Sequence, residues 1–296
     1  MRILLTGKNG QVGGEINKIL TPFGEVTATG RNEMDLSEPN QIRQTIRRVR
    51  PELIINAGAY TAVDKAESEP ELAQAVNGIA PGILAEEASK LGAALIHYST
   101  DYVYNGEMRN DHYIESDLPA PISVYGKTKL EGDNAIEQSG VSYLIFRTSW
   151  VYGLGGKNFL KTILRLAEER DELRIVEDQL GTPTWCRSIA SATGKIMKQL
   201  INKDDDSLSD TVSDISGVYH MTCGGQTSWH GFARTIIDLT NPNPMPRLVA
   251  IPSIDYPTPA ARPAYSVLSN AKLEKTFSTR LPHWEDALKQ CLDAAR

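Results

Sequence analysis

Tyr125 and Lys129 stand four residues apart in the stretch PISVYGKTKLEG, which carries a helical pattern. Residues at that spacing share a helix face, with Cβ atoms about 5–6 Å apart. A free tyrosine ionises near pH about 10, and an ammonium beside it favours the phenolate. A downward shift of roughly two to three units would let the phenol give and take a proton at neutral pH. Taken alone, the spacing is common on soluble helices. Upstream, HYSTDYVY places Ser99, Thr100 and Asp101 where an apolar run ends. A hydroxyl at the carboxyl end of a strand can hydrogen-bond a carbonyl oxygen as charge grows on it. Thr100, Tyr125 and Lys129 therefore form the candidate catalytic set.

A second motif opens the chain. TGKNGQVGG sets Gly7, Gly10 and Gly13 at three-residue intervals directly after the first apolar run, with Gln11 and Val12 between them. Glycines there allow a tight turn and let a pyrophosphate approach amides at a helix N-terminus, whose dipole favours anions. The setting, strand before and helix after, turns a weak pattern into a dinucleotide site. The second apolar run ends in ATGRNEMDL. An acidic side chain at that place accepts bonds from ribose hydroxyls. Gly30 and Arg31 stand there instead, and an arginine suits a 2′-phosphate, although Glu33 is close by. NADPH is favoured over NADH. Asp35 and Leu36 follow; Asp35 reads equally well as a cofactor contact and as a turn or helix-capping carboxylate.

The elements that must hold these residues alternate. Continuous apolar runs predict strands at 2–6, 25–29, 53–57, 93–98 and 142–147, with helical patterns near 11–20, 39–49, 69–90 and 125–138. Unbroken runs suit strands covered on both faces, and strand–helix alternation implies right-handed βαβ units in a parallel sheet. Pro81 is expected to kink or break the long third helix. The expected fold is α/β: a Rossmann-type doubly wound sheet with a smaller C-terminal α/β lobe. The expected division is a dinucleotide-binding domain over 1–150 and a substrate lobe over 151–296, the chain crossing back around 170–202. In the second half, a helix at 158–169, a strand at 173–176 and a helix at 187–202 precede NKDDDSLSD (202–210), read as an exposed loop. NPNPMPR and DYPTPAARP read as proline-rich connections.

Composition narrows the function. The 296 residues are 41% hydrophobic and 23% charged, enough for a sizeable core. A net charge of −6 argues against a nucleic-acid surface. No apolar run reaches the roughly 18 to 20 residues of a membrane span, and the first residues lack the shape of a signal peptide. Cys186, Cys223 and Cys291 are scattered, which suits a reducing cytoplasm and makes neither a disulfide frame nor a zinc site.

The GxxGxxG loop followed by Thr100, Tyr125 and Lys129 resembles the extended short-chain dehydrogenase/reductases. NAGAYTAVDKAE, HYSTDYVY, VYGKTKLEGD, RTSWVYG, DQLGTPTW, TSWHGFA and ARPAYSVL, spread over nearly the whole chain, are together similar to the dTDP-4-dehydrorhamnose reductase family. The resemblance implies NADPH-dependent reduction of the C4 ketone of dTDP-4-dehydro-β-L-rhamnose to dTDP-L-rhamnose. It makes Tyr125 the proton donor to the sugar O4, Thr100 its hydrogen-bonding partner, and Lys129 the holder of the nicotinamide ribose. It sets Ala59, Tyr60 and Thr61 along the cofactor, Asp101 and Trp150 at the sugar, and Arg262 at the nucleotide diphosphate. Gly58 and Tyr60 stand where close relatives would carry Ala and His. Some relatives dimerise through a magnesium ion held by glutamates, so a homodimer is one implication. Glu15 sits where one ligand would be, but TPTWCRSIA offers no second glutamate. No metal is therefore assigned, and Glu15 reads as a solvated helix residue.

Two alternatives stay open. One is an epimerase acting on another sugar nucleotide with the same tyrosine. The other is a non-catalytic regulatory subunit, similar to the β subunit of methionine adenosyltransferase. A dehydratase would want an Asp-Glu pair after the threonine, and Thr100 is followed by Asp101 and Tyr102.

Overall fold

The computed structural model describes residues 1–201 and 207–295. Five of its strands, β1 (Arg2–Thr6), β2 (Glu25–Thr29), β3 (Leu53–Asn56), β4 (Ala94–Thr100) and β5 (Ser142–Thr148), join strand Gly217–His220 in one six-stranded sheet. Its order is Gly217–His220, β5, β4, β3, β1, β2, and every pairing is parallel. The sheet is Rossmann-type and doubly wound, as the strand–helix alternation predicts. Between β1 and β3 the winding reverses direction, and such a switch point leaves a crevice beyond the strands' carboxyl ends.

The apolar runs are continuous because both faces are covered. Ile3, Leu5, Ile55, Ile96 and Phe146 pack against Ile16 of helix α1 (Gln11–Ile19) and Ile189 and Ile196 of helix Cys186–Ile201. The residues between them, Leu4, Ile54, Leu95 and Ile145, meet Ile42 and Ile46 of helix α2 (Pro39–Val49), Leu84, and Ile136 of helix Val124–Gln138 on the opposite face. Successive side chains of a strand point to opposite faces, so each run feeds two cores.

The helical pattern at 69–90 becomes helix Pro70–Gln74, a π turn at Ala75–Ile79, and helix Ala80–Leu91. Pro81 is the cause: it has no N–H, and its ring crowds the carbonyl four residues back, on Asn77. A widened turn absorbs both without ending the helix. The stretch 202–210 differs from its reading as a loop in its described part: Ser207 accepts from the Asp210 N–H and caps helix Leu208–Ser213. Residues 202–206 lie outside the described residues.

The second half adds three two-stranded ladders: Glu172–Val176 with Arg247–Ile251, Leu180–Gly181 with Thr227–Ser228, and Val151–Tyr152 with Thr184–Trp185. Among the described residues no helix is long and apolar enough to cross a membrane.

Candidate active site

A cleft of about 800 Å³ opens at the carboxyl ends of the strands, lined from the glycine loop at one end to Trp150, Trp229 and Arg262 at the other. Gly7 turns the chain out of β1 with φ +72, and a Cβ there would stand 2.6 Å from the Ala57 carbonyl oxygen. Gly10 begins α1 without a side-chain cap, so the first amides of that helix, around Gln11 and Val12, are left for a ligand. These features fit a dinucleotide's pyrophosphate. Gly13 does not line the cleft. It lies beneath the loop, where a Cβ would come 2.2 Å from the Gly7 carbonyl oxygen, and so lets α1 dock closely.

At the end of β2, Arg31 is exposed and its Nε donates to Asp35 Oδ2 at 3.1 Å. Asp35 Oδ1 accepts from the Ser37 N–H at 2.9 Å, which makes it a turn carboxylate as well as part of the cleft wall beside Leu36. Glu33 accepts from Lys8 Nζ and from the Gly30 N–H, both at 2.8 Å, and these bonds hold its carboxyl below the usual range. Lys8 therefore occupies the acidic group that complicated the preference for NADPH.

Ala59, Tyr60 and Thr61 leave β3 along the cleft. Asn77, inside the π turn, clamps them: its Oδ1 accepts from the Tyr60 N–H at 2.8 Å and its Nδ2 donates to the Tyr60 carbonyl at 3.0 Å. The Tyr60 phenol donates to Glu69, which pushes its pKa up. The sequence pointed to Pro81 but not to Asn77.

Thr100, Tyr125 and Lys129 meet in the cleft wall. Thr100 ends β4, where its Oγ1 accepts from the Tyr102 N–H at 3.2 Å and donates to Asp101 Oδ1 at 3.0 Å. Tyr125 lies in the first turn of helix Val124–Gln138, whose start Ser123 caps by accepting from the Gly126 N–H. Lys129 follows one turn on and is buried. Two features differ from the sequence expectation. Burial pushes the Tyr125 phenol above its ordinary pKa, with a hydrogen bond to Thr100 only partly opposing it. Lys129 Nζ donates to the Tyr98 carbonyl at 2.7 Å and lies 3.0 Å from His97 Nε2. Burial lowers this lysine to about 8, against the pull of Asp133. The Lys129 Nζ is thus turned toward the sheet, and the phenol feels burial more than charge.

Asp101 is buried, and burial raises its carboxyl to about 6, with bonds from Ser266 and Thr100 opposing. Its Oδ2 finds no hydrogen-bond partner among the described residues. Trp150 lines the cleft, and its ring stacks on that of Trp229. Arg262 is half-buried: Nη2 pairs with Asp64 Oδ2 at 2.8 Å and Nη1 donates to the Tyr102 hydroxyl at 3.2 Å. Asn158 steadies the loop end by donating to Gln11 Oε1 at 2.8 Å.

Sequence reasoning missed the buried polar layer behind the triad. Asp133 Oδ2 accepts from Ser99 at 2.9 Å and from Arg147 Nη2 at 3.2 Å, and Arg147 Nη1 donates to the Tyr104 hydroxyl at 3.0 Å. Only the sheet brings these together. Glu15 is also less solvated than expected: it accepts from Lys18 at 2.6 Å and from Arg187 at 3.1 Å. Arg187 belongs to TPTWCRSIA, so a cation faces Glu15 from the stretch where a second glutamate was sought.

The comparisons with known proteins agree with this geometry. A family model described as "RmlD substrate binding domain" matches residues 1–296. The dTDP-4-dehydrorhamnose reductase of Burkholderia thailandensis is 45% identical, over 99% of this chain and 98% of its own. A solved dTDP-4-dehydrorhamnose reductase from Clostridium acetobutylicum superposes with a TM-score of 0.90 at 38% identity, covering 100% of this chain and 99% of its own. Another, from Bacillus anthracis in complex with NADP, gives 0.89 at 32% identity and covers 99% of each. With its glycine loop, its Thr100, Tyr125 and Lys129, and these full-length matches, the chain belongs to the dTDP-4-dehydrorhamnose reductase family.

Proposed function

We propose that this protein reduces the C4 ketone of dTDP-4-dehydro-β-L-rhamnose to dTDP-L-rhamnose with NADPH. The observation that carries the reading is the meeting of Thr100, Tyr125 and Lys129 in a cleft whose far end is the glycine loop. The B. anthracis relative in complex with NADP supports the cofactor. The amides around Gln11 and Val12 would take the pyrophosphate, Arg31 a 2′-phosphate, Asp35 and Leu36 the adenine edge, and Ala59 to Thr61 the remaining wall. NADPH, when bound, supplies the hydride.

The chain's own residues do the rest. Tyr125 gives its proton to the sugar O4 as charge grows there, and its raised pKa keeps the phenol protonated beforehand. Thr100 steadies the oxygen through its hydroxyl. Asp101 and Trp150 flank the sugar, and Arg262, already fixed by Asp64 and Tyr102, offers its guanidinium to the diphosphate. We read residues 1–150 as the cofactor domain and 151–296 as the substrate lobe, with Gly217–His220 returning to the central sheet. Three free, buried cysteines support a cytoplasmic setting, the net charge speaks against nucleic acid, and a homodimer accords with the family resemblance.

The experiment is to generate the 4-keto sugar nucleotide in situ and follow loss of NADPH absorbance, with NADH in parallel. Prompt oxidation yielding dTDP-L-rhamnose is the expected result. Tight NADPH binding without oxidation would replace this reading with the regulatory-subunit one. Exchange at a sugar carbon without net oxidation would point to the epimerase.

A further inference from the structure

Behind the cleft, three side chains form a row across the sheet. Register pairs Thr6 with Asn56 between β1 and β3, and Asn56 with His97 between β3 and β4. All three are buried. Lys129 closes the row from helix Val124–Gln138, with its Nζ 3.0 Å from His97 Nε2.

The direction of the hydrogen bonds along this row is set at its far end. The Gly58 N–H, which can only donate, lies 3.1 Å from Thr6 Oγ1 and 3.3 Å from one terminal atom of the Asn56 amide. An N–H facing that atom requires it to be oxygen, and Thr6 Oγ1 donates to the same atom at 2.6 Å. The Asn56 NH2 group therefore faces His97 Nδ1, at 2.9 Å, and donates to it. A ring nitrogen that accepts carries no proton, so the neutral imidazole has its proton on Nε2. That proton points at Lys129 Nζ. An ammonium has three donors and no acceptor, so it cannot receive this bond; only the uncharged amine can.

We propose that His97 is a positioning residue for Lys129: fixed by Asn56 in the Nε2–H tautomer, it seats the lysine as an uncharged amine. On taking up a proton the lysine can no longer accept this bond and must give up the seat.

The other groups facing Lys129 agree with the balance. On its own helix are Tyr125 and Asp133, whose Oδ1 is 3.8 Å from His97 Nε2 and has no hydrogen-bond partner among the described residues. From β4 come His97 and the Tyr98 carbonyl, and from β5 Arg147, which is committed to Asp133 Oδ2. Asp133 draws a proton toward Lys129, and burial opposes it more strongly. Burial, the larger cause, holds His97 well below its ordinary pKa, so the ring stays neutral.

The first test needs no change to the protein. Long-range 1H–15N spectra of the labelled full chain report which ring nitrogen of each of the five histidines carries a proton, and a His97→Gln sample assigns the His97 signals. A neutral ring protonated on Nε2 at neutral pH is expected. A ring protonated on Nδ1, or on both nitrogens, would overturn the proposal.

The second test reverses the row. Asn56→Asp offers a carboxylate to His97 Nδ1, moves the ring proton there, and leaves Nε2 bare to accept from an ammonium. The Lys129 titration, read from its Cε carbon shift, should rise by at least about one unit, a tenfold gain in proton affinity. An Asn56→Asp protein in which the tautomer switches but the lysine titration stays put would also overturn it. Both spectroscopic readouts are independent of the proposed reductase activity. If the lysine titration moves while the pH profile of kcat/KM does not, the seat stands and the role of Lys129 in that reaction fails.

Discussion

The indole of Trp150 lies flat on that of Trp229, with ring centroids 3.5 Å apart and planes 4° from parallel. Trp150 holds a left-handed backbone, φ +45, and its ring fills the space over Gly181, where a Cβ would come within 2.4 Å of Cε2. Trp229 is anchored from behind by its Nε1–H bond to Gln179 Oε1 at 3.2 Å. The stack therefore presents one preset aromatic wall to the end of the cleft where we place the substrate. Trp229→Ala should raise KM for the sugar nucleotide while leaving the Kd of NADPH unchanged. An aromatic pair contributes about 0.5–1.5 kcal/mol beyond its buried area, which sets a KM change of roughly three- to tenfold. Steady-state kinetics with each ligand varied in turn checks it; equal losses for both ligands would count against a wall specific to substrate.

Tyr125→Phe removes the proton but keeps the ring that meets Tyr102 edge-on at 5.6 Å. A positioned general acid contributes on the order of 10²–10⁴-fold. Turnover should fall by at least about a hundredfold, with NADPH binding, followed by nicotinamide fluorescence, preserved. A variant reducing substrate at near the original rate would remove Tyr125 from the proton-donor role.

Arg31→Ala leaves Lys8 engaged with Glu33 and takes away the exposed guanidinium at the end of β2. The kcat/KM for NADPH should drop about tenfold, or about 1.4 kcal/mol, while that for NADH changes little. The ratio of the two, measured on one preparation, is the readout. An unchanged ratio would place 2′-phosphate recognition elsewhere.

Asp101 carries a pH signature. Burial raises its carboxyl from 3.8 to about 6. The folded protein thus binds this proton more tightly than the unfolded chain, and stability falls as pH rises between those two values. Above pH about 6 the buried charge costs on the order of 3 kcal/mol. Asp101→Asn should be more stable than the parent protein at neutral pH, with the gain shrinking to nothing as pH falls toward about 4. Urea denaturation of both proteins across that window checks the sign; a gain that grew on acidification would contradict it.

Much of this was legible because it is local. Apolar runs of strand length, glycines every third residue after the first of them, and a Tyr and Lys one turn apart need only backbone geometry to be interpreted. Pro81 was legible as a disturbance but not as a π turn, since whether a helix breaks or widens depends on what holds its two halves. Here the Asn77 side chain, tied to Tyr60 across 17 residues, helps hold them. The protonation of Tyr125 was read in the wrong direction for a related reason: i, i+4 spacing predicts proximity but not where a flexible lysine turns, nor how deeply a phenol is buried.

By itself, then, the sequence determined the βαβ alternation, the glycine loop and the identities of Thr100, Tyr125 and Lys129, because each is written within a few residues of chain. Tertiary structure alone decided who faces whom. Arg262 reaches Asp64 across 198 residues, and Asn56 meets His97 across 41, because β3 and β4 pair in one register. The charge on Lys129 belongs to that second class. It follows from the direction of a hydrogen-bonded row that starts at the Gly58 N–H just beyond β3, and no spacing in the chain encodes it.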